Sequence, residues 1–229
     1  MAAQPVGDVR ACVFDAYGTL FDTASAARRC ADAVGDEAAS RLAALWRDKQ
    51  LQYTWLRALQ GRHADFWQVT GEALDFALDA LGLADPELRR RLMQLYLTLD
   101  AYPDAAGTVR RLRDAGLATA ILSNGSPAML AAAVEHAGLA PLFDHVLSVE
   151  EVGVYKPHPK VYQLACDRLG LAADAILFVS SNGWDAWAAS AFGMRAVWCN
   201  RSGQPPERLP GAPDHEIRSL AELPALVGA

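Results

Sequence analysis

Short, almost continuously apolar runs bounded by glycine, serine or asparagine recur along the chain. Three lie in the second half, at residues 118–122, 175–179 and 195–199, and a similar run at 11–14 stands near the start. Runs of this length without polar alternation indicate strands that are buried on both faces, as in a parallel sheet. The sequence therefore predicts at least these four parallel strands.

Helical patterns separate the apolar runs, and each pattern is followed by a glycine. They extend over about 104–115, 127–137, 159–169 and 184–192. Glycine suits the position just after a helix because it adopts the left-handed conformation at little cost. Strands that alternate with helices predict an α/β fold with a Rossmann-like, doubly wound parallel sheet.

The stretch from 23 to 99 breaks this alternation. It shows one helical pattern after another, at about 24–34, 37–59, 65–82 and 86–99. We therefore expect two domains. Residues 1–22 and 100–229 form the core, and residues 23–99 form an all-helical cap inserted into it.

Composition and charge limit the kinds of partner and the cellular compartment that we expect for this protein. The chain has 229 residues, 52% of them apolar, and a net charge of −6, which disfavours a nucleic-acid partner. We find neither an apolar run long enough to span a membrane nor a secretory signal. Four widely spaced cysteines, Cys12, Cys30, Cys166 and Cys199, are expected to be buried and reduced. These features favour a cytoplasmic protein.

Polar side chains that can carry chemistry follow three of the predicted strands. They are Asp15, then Ser123-Asn124, then Ser180-Ser181-Asn182 with Asp185, while Lys156 lies in a proline-flanked loop between the last two strands. Ligands of open α/β sheets bind beyond the carboxyl ends of the strands. Each residue alone has an ordinary explanation as a turn former, a helix cap or a surface charge. Their arrival in order, each after its own strand, favours a catalytic site.

These segments resemble the four motifs of the haloacid dehalogenase superfamily. Asp15-x-Tyr17-Gly18-Thr19-Leu20 is similar to the nucleophile motif, Ser123-Asn124 to the second, Lys156-Pro157 to the third, and Ser180-Ser181-Asn182-x-x-Asp185 to the fourth. The resemblance covers nearly the whole chain. It implies a Rossmann-like core and an aspartyl-enzyme intermediate.

Two departures from the phosphatase members of that superfamily indicate the chemistry. Tyr17 stands where phosphatases carry a second aspartate, and a phenol with a pKa of about 10 is a poor general acid at neutral pH. Ser180, Ser181 and Asn182 stand where phosphatases carry acids that hold Mg²⁺. A departing halide needs no proton, and a monoanionic substrate needs no metal ion. We therefore expect no metal and no cofactor.

With these residues at the two sites, the sequence resembles the L-2-haloacid dehalogenase branch of the superfamily. Residues 46–57 are also similar to the cap segment of that branch. The resemblance implies that Asp15 displaces halide from a small L-2-haloalkanoate with inversion, giving a D-2-hydroxy acid. The implied catalytic residues are Asp15, Thr19, Arg47, Ser123, Lys156, Tyr162, Ser180, Asn182 and Asp185. The implied substrate-binding residues are Tyr17, Arg47, Leu51, Phe66, Ser123, Asn124, Lys156 and Trp184.

The sequence leaves open which residue activates the hydrolytic water and which of several related activities the protein has. Either Asp185 or Lys156 can activate the hydrolytic water, while Ser180 and Asn182 are expected to position these two residues. The resemblance also implies a homodimer. The alternatives are an enzyme that prefers fluoroacetate, a metal-dependent phosphatase of the same fold, and a binding protein that has lost activity.

Overall fold

A computed structural model describes residues 8–229 of the chain, and within them six strands form one parallel sheet. The strands are β1 (Ala11–Phe14), β2 (Ala118–Ser123), β3 (His145–Ser148), β4 (Ile176–Ser180), β5 (Arg195–Cys199) and β6 (His215–Ile217). Their order is β3-β2-β1-β4-β5-β6, the order of a doubly wound Rossmann-type sheet. The predicted fold class is confirmed. Residues 1–7 lie outside the described part of the chain. They belong to the predicted core, and the expected absence of a secretory signal also concerns them.

Ten α-helices accompany the sheet in residues 8–229. They are α1 (Ser25–Arg28), α2 (Ala31–Val34), α3 (Asp36–Gln60), α4 (Phe66–Leu81), α5 (Pro86–Tyr96), α6 (Ala105–Asp114), α7 (Pro127–His136), α8 (Pro159–Leu169), α9 (Gly183–Phe192) and α10 (Leu223–Leu226). Short 3₁₀ segments lie at Ala140–Leu142, Val149–Glu151, Ala173–Ala175 and Leu220–Glu222.

The four predicted strands are present, and the two that were not predicted are the edges of the sheet. Only half of β3 is buried, and β6 is three residues long with one buried residue. Edge strands of this kind lack the continuous apolar run by which a buried strand is recognised. Sequence patterning therefore found the centre of the sheet and missed its edges.

Helices α1–α5 all lie between β1 and β2 in the chain, and the longest of them, α3 and α4, pack against each other. The indole of Trp46 on α3 donates a hydrogen bond to the carbonyl of Thr70 on α4 at 2.8 Å. The predicted helix at 24–34 is divided into α1 and α2 around Arg29 and Cys30. Arg47 on α3 donates a hydrogen bond to the carbonyl of Tyr17, so this helical unit contacts the segment that follows the carboxyl end of β1.

The sequence also makes predictions about the cysteines and about membrane-spanning segments. All four cysteines are free and buried, as predicted, and burial raises the pKa of Cys12 to about 12. From residue 8 onward, none of the helices combines the length and the apolarity that crossing a bilayer requires.

Candidate active site

The sheet brings the predicted site residues to one edge. Phe14 of the central strand β1 pairs with Ile121 of β2 and with Val179 of β4. The residues that follow, Asp15 and Ser180, therefore leave the sheet side by side. This edge is the switch point between β1 and its two neighbours, where ligands of doubly wound sheets bind.

Asp15 is buried and held by several donors. Its Oδ2 accepts hydrogen bonds from Thr19 Oγ1 at 3.0 Å and from Asn182 Nδ2 at 2.8 Å, and Ser180 Oγ lies 3.5 Å away. Gly18, with φ of +96°, makes the turn that returns Thr19 to the carboxylate. The Asp15 carboxylate therefore has a fixed orientation before any substrate arrives.

Lys156 joins two carboxylates at the centre of the site. Its Nζ lies 3.1 Å from Asp15 Oδ1 and 2.8 Å from Asp185 Oδ2, and the side chain is almost fully buried. Burial by itself lowers the pKa of a lysine, but the charges of Asp15 and Asp185 outweigh it, so the pKa of Lys156 is raised. Lys156 therefore stays an ammonium ion at neutral pH.

Asp185 lies in the first turn of α9 and is completely buried. Its Oδ1 accepts a hydrogen bond from the Tyr162 hydroxyl at 2.7 Å. Burial raises the pKa of Asp185, and the Lys156 charge opposes this only in part. Burial, together with the Asp185 charge, also raises the pKa of Tyr162 well above its usual value, so its hydroxyl remains a donor.

One expected set of contacts differs in the structure. Ser180 and Asn182, which the sequence suggested as supports for Asp185 and Lys156, instead contact Asp15. The reason is geometric, because β4 runs beside β1 and delivers its end directly to Asp15. Asp185 is supported by Tyr162 from α8.

Arg47 reaches the site from helix α3. Its guanidinium donates to the carbonyl of Tyr17 and to Asn182 Oδ1, both at 3.1 Å, and to Gln50 Oε1 at 2.8 Å. These contacts fix a positive charge at the small cavity that Asp15 also lines. Arg47 is therefore placed to attract an anion.

Gln50 is the main site residue that sequence reasoning missed. It is buried, and its amide nitrogen lies 2.7 Å from Thr70 Oγ1 and 3.0 Å from the Tyr96 hydroxyl. A glutamine three residues after Arg47 on the same helix face was the available signal. Its burial could not be inferred from the sequence, because the partners come from α4 and α5.

Tyr17 lines the site with its ring and brings no usable acid. The ring lies 5.5 Å from that of Phe66 and 5.6 Å from that of Tyr96, measured between centroids. Its buried hydroxyl has no hydrogen-bond partner among residues 8–229. Burial raises the pKa of Tyr17 well above its usual value, so the phenol does not release a proton at neutral pH.

A small closed cavity lies between these groups. Its volume is about 10 Å³, roughly the least space that can hold a single water molecule. The lining residues are Asp15, Tyr17, Arg47, Leu51, Phe66, Ser123, Asn124, Asn182 and Trp184. Ser123 and Asn124 also shape the loops, since Ser123 Oγ accepts from the Gly125 N–H and Asn124 Oδ1 accepts from the Lys156 N–H. The structure thus brings all the predicted site residues together.

The donor set does not suit a magnesium ion. Lys156 Nζ occupies the space between Asp15 and Asp185, where a cation would otherwise offset their charges. Across residues 8–229, no cluster of three or more histidine, cysteine or acidic side chains has metal-binding geometry. The Ser180 hydroxyl and the Asn182 amide, both held by internal hydrogen bonds, stand in place of the acidic ligands that such an ion prefers.

A Rossmann-like sheet, a helical cover and a buried aspartate at the end of the central strand define a class of hydrolases. The family model of the haloacid dehalogenase-like hydrolases matches residues 9–193, and the chain belongs to this family. The resemblance expected from the four motifs is confirmed.

More specific similarity is to dehalogenases. The chain is 49% identical to (S)-2-haloacid dehalogenase 1 of Pseudomonas sp. (strain CBS-3), over 96% of each chain. A crystal structure of a dehalogenase superposes with a TM-score of 0.95 at 49% identity, covering 98% of this chain and 99% of the other. An L-2-haloacid dehalogenase from Xanthobacter autotrophicus with chloropropionic acid covalently bound superposes at 0.87 and 42% identity, covering 96% and 99%.

Proposed function

We propose that the protein hydrolyses short L-2-haloalkanoates to D-2-hydroxy acids with inversion, as an (S)-2-haloacid dehalogenase. The observation that carries this proposal is the position of Asp15 and Arg47 in the lining of the same small cavity. Asp15 can attack carbon, and Arg47 can receive an anion. Tyr17 supplies no proton for an alkoxide leaving group, which halide does not require.

In the first step, an Asp15 carboxylate oxygen attacks C2 of the substrate from the side opposite the halogen. A C–O ester bond forms, the carbon–halogen bond breaks, and the halide leaves with the bonding electrons. Arg47, Asn124 and the ring of Phe66 surround the departing halide. Charge grows on the halogen only as the bond breaks, so these groups favour the transition state over the bound substrate.

The substrate carboxylate is held by Ser123, Lys156 and the backbone N–H groups near Tyr17. Thr19 and Asn182 keep the attacking carboxylate aligned through their hydrogen bonds to Oδ2. Leu51, Phe66 and Trp184 exclude bulk water from the reacting carbon.

In the second step, water attacks the carbonyl carbon of the Asp15 ester. One water proton passes through Asp185 to the departing oxygen as the ester C–O bond breaks, and the second is released to solvent as the Asp15 carboxylate is restored. The hydroxy acid leaves with the original Asp15 oxygen. We assign the proton acceptor to Asp185, because its raised pKa makes it a stronger base than an exposed aspartate. Lys156 and Tyr162 hold Asp185 in place.

We further propose that the protein acts in the cytoplasm, without a metal ion, as a homodimer. The buried free thiols suit a reducing compartment. The outer face of α3 and α4 supports self-association, since Leu56 and Phe76 are partly exposed there.

Halide release from a panel of acids tests the proposed activity. We expect release from L-2-chloropropionate but not from its D enantiomer, with unchanged rates in EDTA and no hydrolysis of p-nitrophenyl phosphate. Fluoroacetate in the same panel tests the fluoride-preferring alternative. Loss of turnover in EDTA together with phosphate-ester cleavage would show that the protein is a metal-dependent phosphatase instead.

A further inference from the structure

A large apolar groove lies directly beside the small catalytic cavity. Its volume is about 850 Å³, within the range of roughly 300–1,000 Å³ typical of ligand pockets. Helices α3 and α9 form its walls, and the rings of Tyr155 and Tyr162 form part of its floor. Almost all of the lining atoms are apolar. Nothing in the proposed two-step reaction uses this space.

The helices that build the catalytic cavity continue into the groove. On α3, Leu51 lines the cavity, and Trp55 and Leu59 follow at spacings of four residues and line the groove. Residues at this spacing lie on one face of a helix. On α9, Trp184 lines both spaces, and Ala188 continues along the groove. The two spaces are therefore successive parts of one cleft.

The indole ring of Trp184, which lines both spaces, packs against the indole ring of Trp55, which lines the groove. Trp55 and Trp184 meet edge to face, with ring centroids 5.4 Å apart. Both indole N–H groups are buried, and neither has a hydrogen-bond partner among residues 8–229. Turning the Trp184 ring would therefore break no hydrogen bond of its N–H group, and Trp184 lines both the cavity and the groove.

We propose that this groove binds the alkyl chain of longer L-2-haloalkanoates, while the carboxylate and the halogen remain in the catalytic cavity. The inference rests on the proposed dehalogenase activity and extends it from short acids to acids with longer chains. The cavity of about 10 Å³ has no room for a long chain. The groove supplies that room, and its apolar lip at Leu59 and Leu209, 84% and 47% exposed, faces the solvent.

A chain-length series with a filled groove tests this inference. Ala58→Phe on α3 and Ala188→Phe on α9 each place a ring in the groove from a different wall. Ala131→Phe, on an exposed face of α7, is the matched control. Bromide release is measured for 2-bromopropionate, 2-bromohexanoate and 2-bromooctanoate, and melting temperatures show that each variant is folded.

We expect both groove variants to lower kcat/KM for 2-bromooctanoate at least about tenfold, since burying one methylene is worth roughly fourfold in affinity. Turnover of 2-bromopropionate should stay within about twofold of the parent. An unchanged chain-length profile in both folded variants would overturn the inference. So would a change from dimer to monomer without a change in that profile, because the groove would then be a subunit contact.

Binding of unreactive acids separates this inference from the proposed activity. Octanoate should bind the parent at least about tenfold more tightly than propionate, measured by calorimetry, and Ala58→Phe should remove the difference. If no acid releases halide but octanoate shows this preference, the activity fails and the groove stands. If 2-bromopropionate is turned over but octanoate has no advantage, the activity stands and the groove assignment is wrong.

Discussion

Lys156 decides the charge balance of the site. Two carboxylates, those of Asp15 and Asp185, lie within 3.1 Å of its Nζ in a region closed to solvent. Without the ammonium ion, two negative charges would be buried together, which is strongly unfavourable. The same lysine therefore keeps Asp15 available as a nucleophile and holds Asp185 close to it.

Replacing Lys156 by methionine should make the stability of the protein depend on pH, because the buried carboxylates lose their positive partner. In Lys156→Met, burial raises the folded-state pKa of Asp185 without the opposing charge of Lys156. This contribution to stability is fully present below the unfolded pKa of about 4 and is lost as pH rises through the higher folded value. We expect a loss of about 3–5 kcal/mol near pH 7 and a smaller loss near pH 5.

Thermal unfolding of the parent and of Lys156→Met between pH 5 and pH 8 measures this. Lys160→Met, at a nearby exposed lysine, is the control and should change little at either pH. A deficit for Lys156→Met that is equal at pH 5 and pH 8 would contradict the role assigned to the buried Asp185 carboxylate.

The fate of oxygen at Asp15 distinguishes the proposed ester from direct attack by water. In a single turnover with excess enzyme in ¹⁸O-water, water attacks the carbonyl carbon of the ester. We expect the label in the Asp15 side chain, found by mass spectrometry of its peptide, and unlabelled hydroxy acid. Label in the product alone would mean that water attacks the substrate carbon directly.

At the scale of elements, helix α3 carries both the anion-attracting Arg47 and the residue that fixes it. Gln50 Oε1 accepts from Arg47, while its amide group contacts Thr70 and Tyr96 on other helices. This buried network ties the rotation of α3 about its axis to the position of the guanidinium. Arg47 is therefore aligned by packing in the helical unit as well as by the core.

Gln50→Met should separate positioning from folding. Methionine keeps the side-chain length but removes the acceptor for Arg47 and leaves the buried Tyr96 hydroxyl without this partner. We expect a loss of about 1–3 kcal/mol in stability and a fall in kcat of about tenfold or more, with a smaller change in KM. Gln52→Met, exposed on the same helix, should leave both quantities near the parent values. An unchanged kcat in Gln50→Met would show that Arg47 is held without Gln50.

Elements differed in how far the sequence could predict them. The central strands and the residues at their ends, such as Asp15 and Ser180, follow from apolar runs and their polar stops. The edge strands β3 and β6 were missed because they are short and only partly buried. Gln50 and the contact of Asn182 with Asp15 depend on distances between elements far apart in the chain, which a linear pattern does not carry.

At the scale of the whole molecule, contacts between helices α1–α5 with their loops and the segments around the sheet enclose the site. Arg47 bonds the Tyr17 carbonyl, His63 Nε2 lies 3.0 Å from Glu150 Oε2, and the Tyr155 hydroxyl donates to the Ala64 carbonyl. A cavity of about 10 Å³ cannot admit a haloacid in this arrangement. Substrate binding therefore requires a change in the enclosing side chains or in the spacing between the two parts.

The outer face of α3 and α4 is the surface where we expect the homodimer to form. Leu56 is 45% and Phe76 is 40% exposed, and the Lys49 ammonium lies 4.2 Å from the centroid of the Phe76 ring.

Placing charges at both apolar positions, as Leu56→Glu with Phe76→Glu, should destabilise the dimer more than the monomer, because the new carboxylates would be desolvated in the interface. Light scattering should show a single-chain mass for this variant and a two-chain mass for the parent. Val146→Glu, at a 41% exposed residue of the edge strand β3, should remain dimeric. Because every residue of the proposed site comes from one chain, the monomeric variant should keep halide release; a double variant that stays dimeric would place the interface elsewhere.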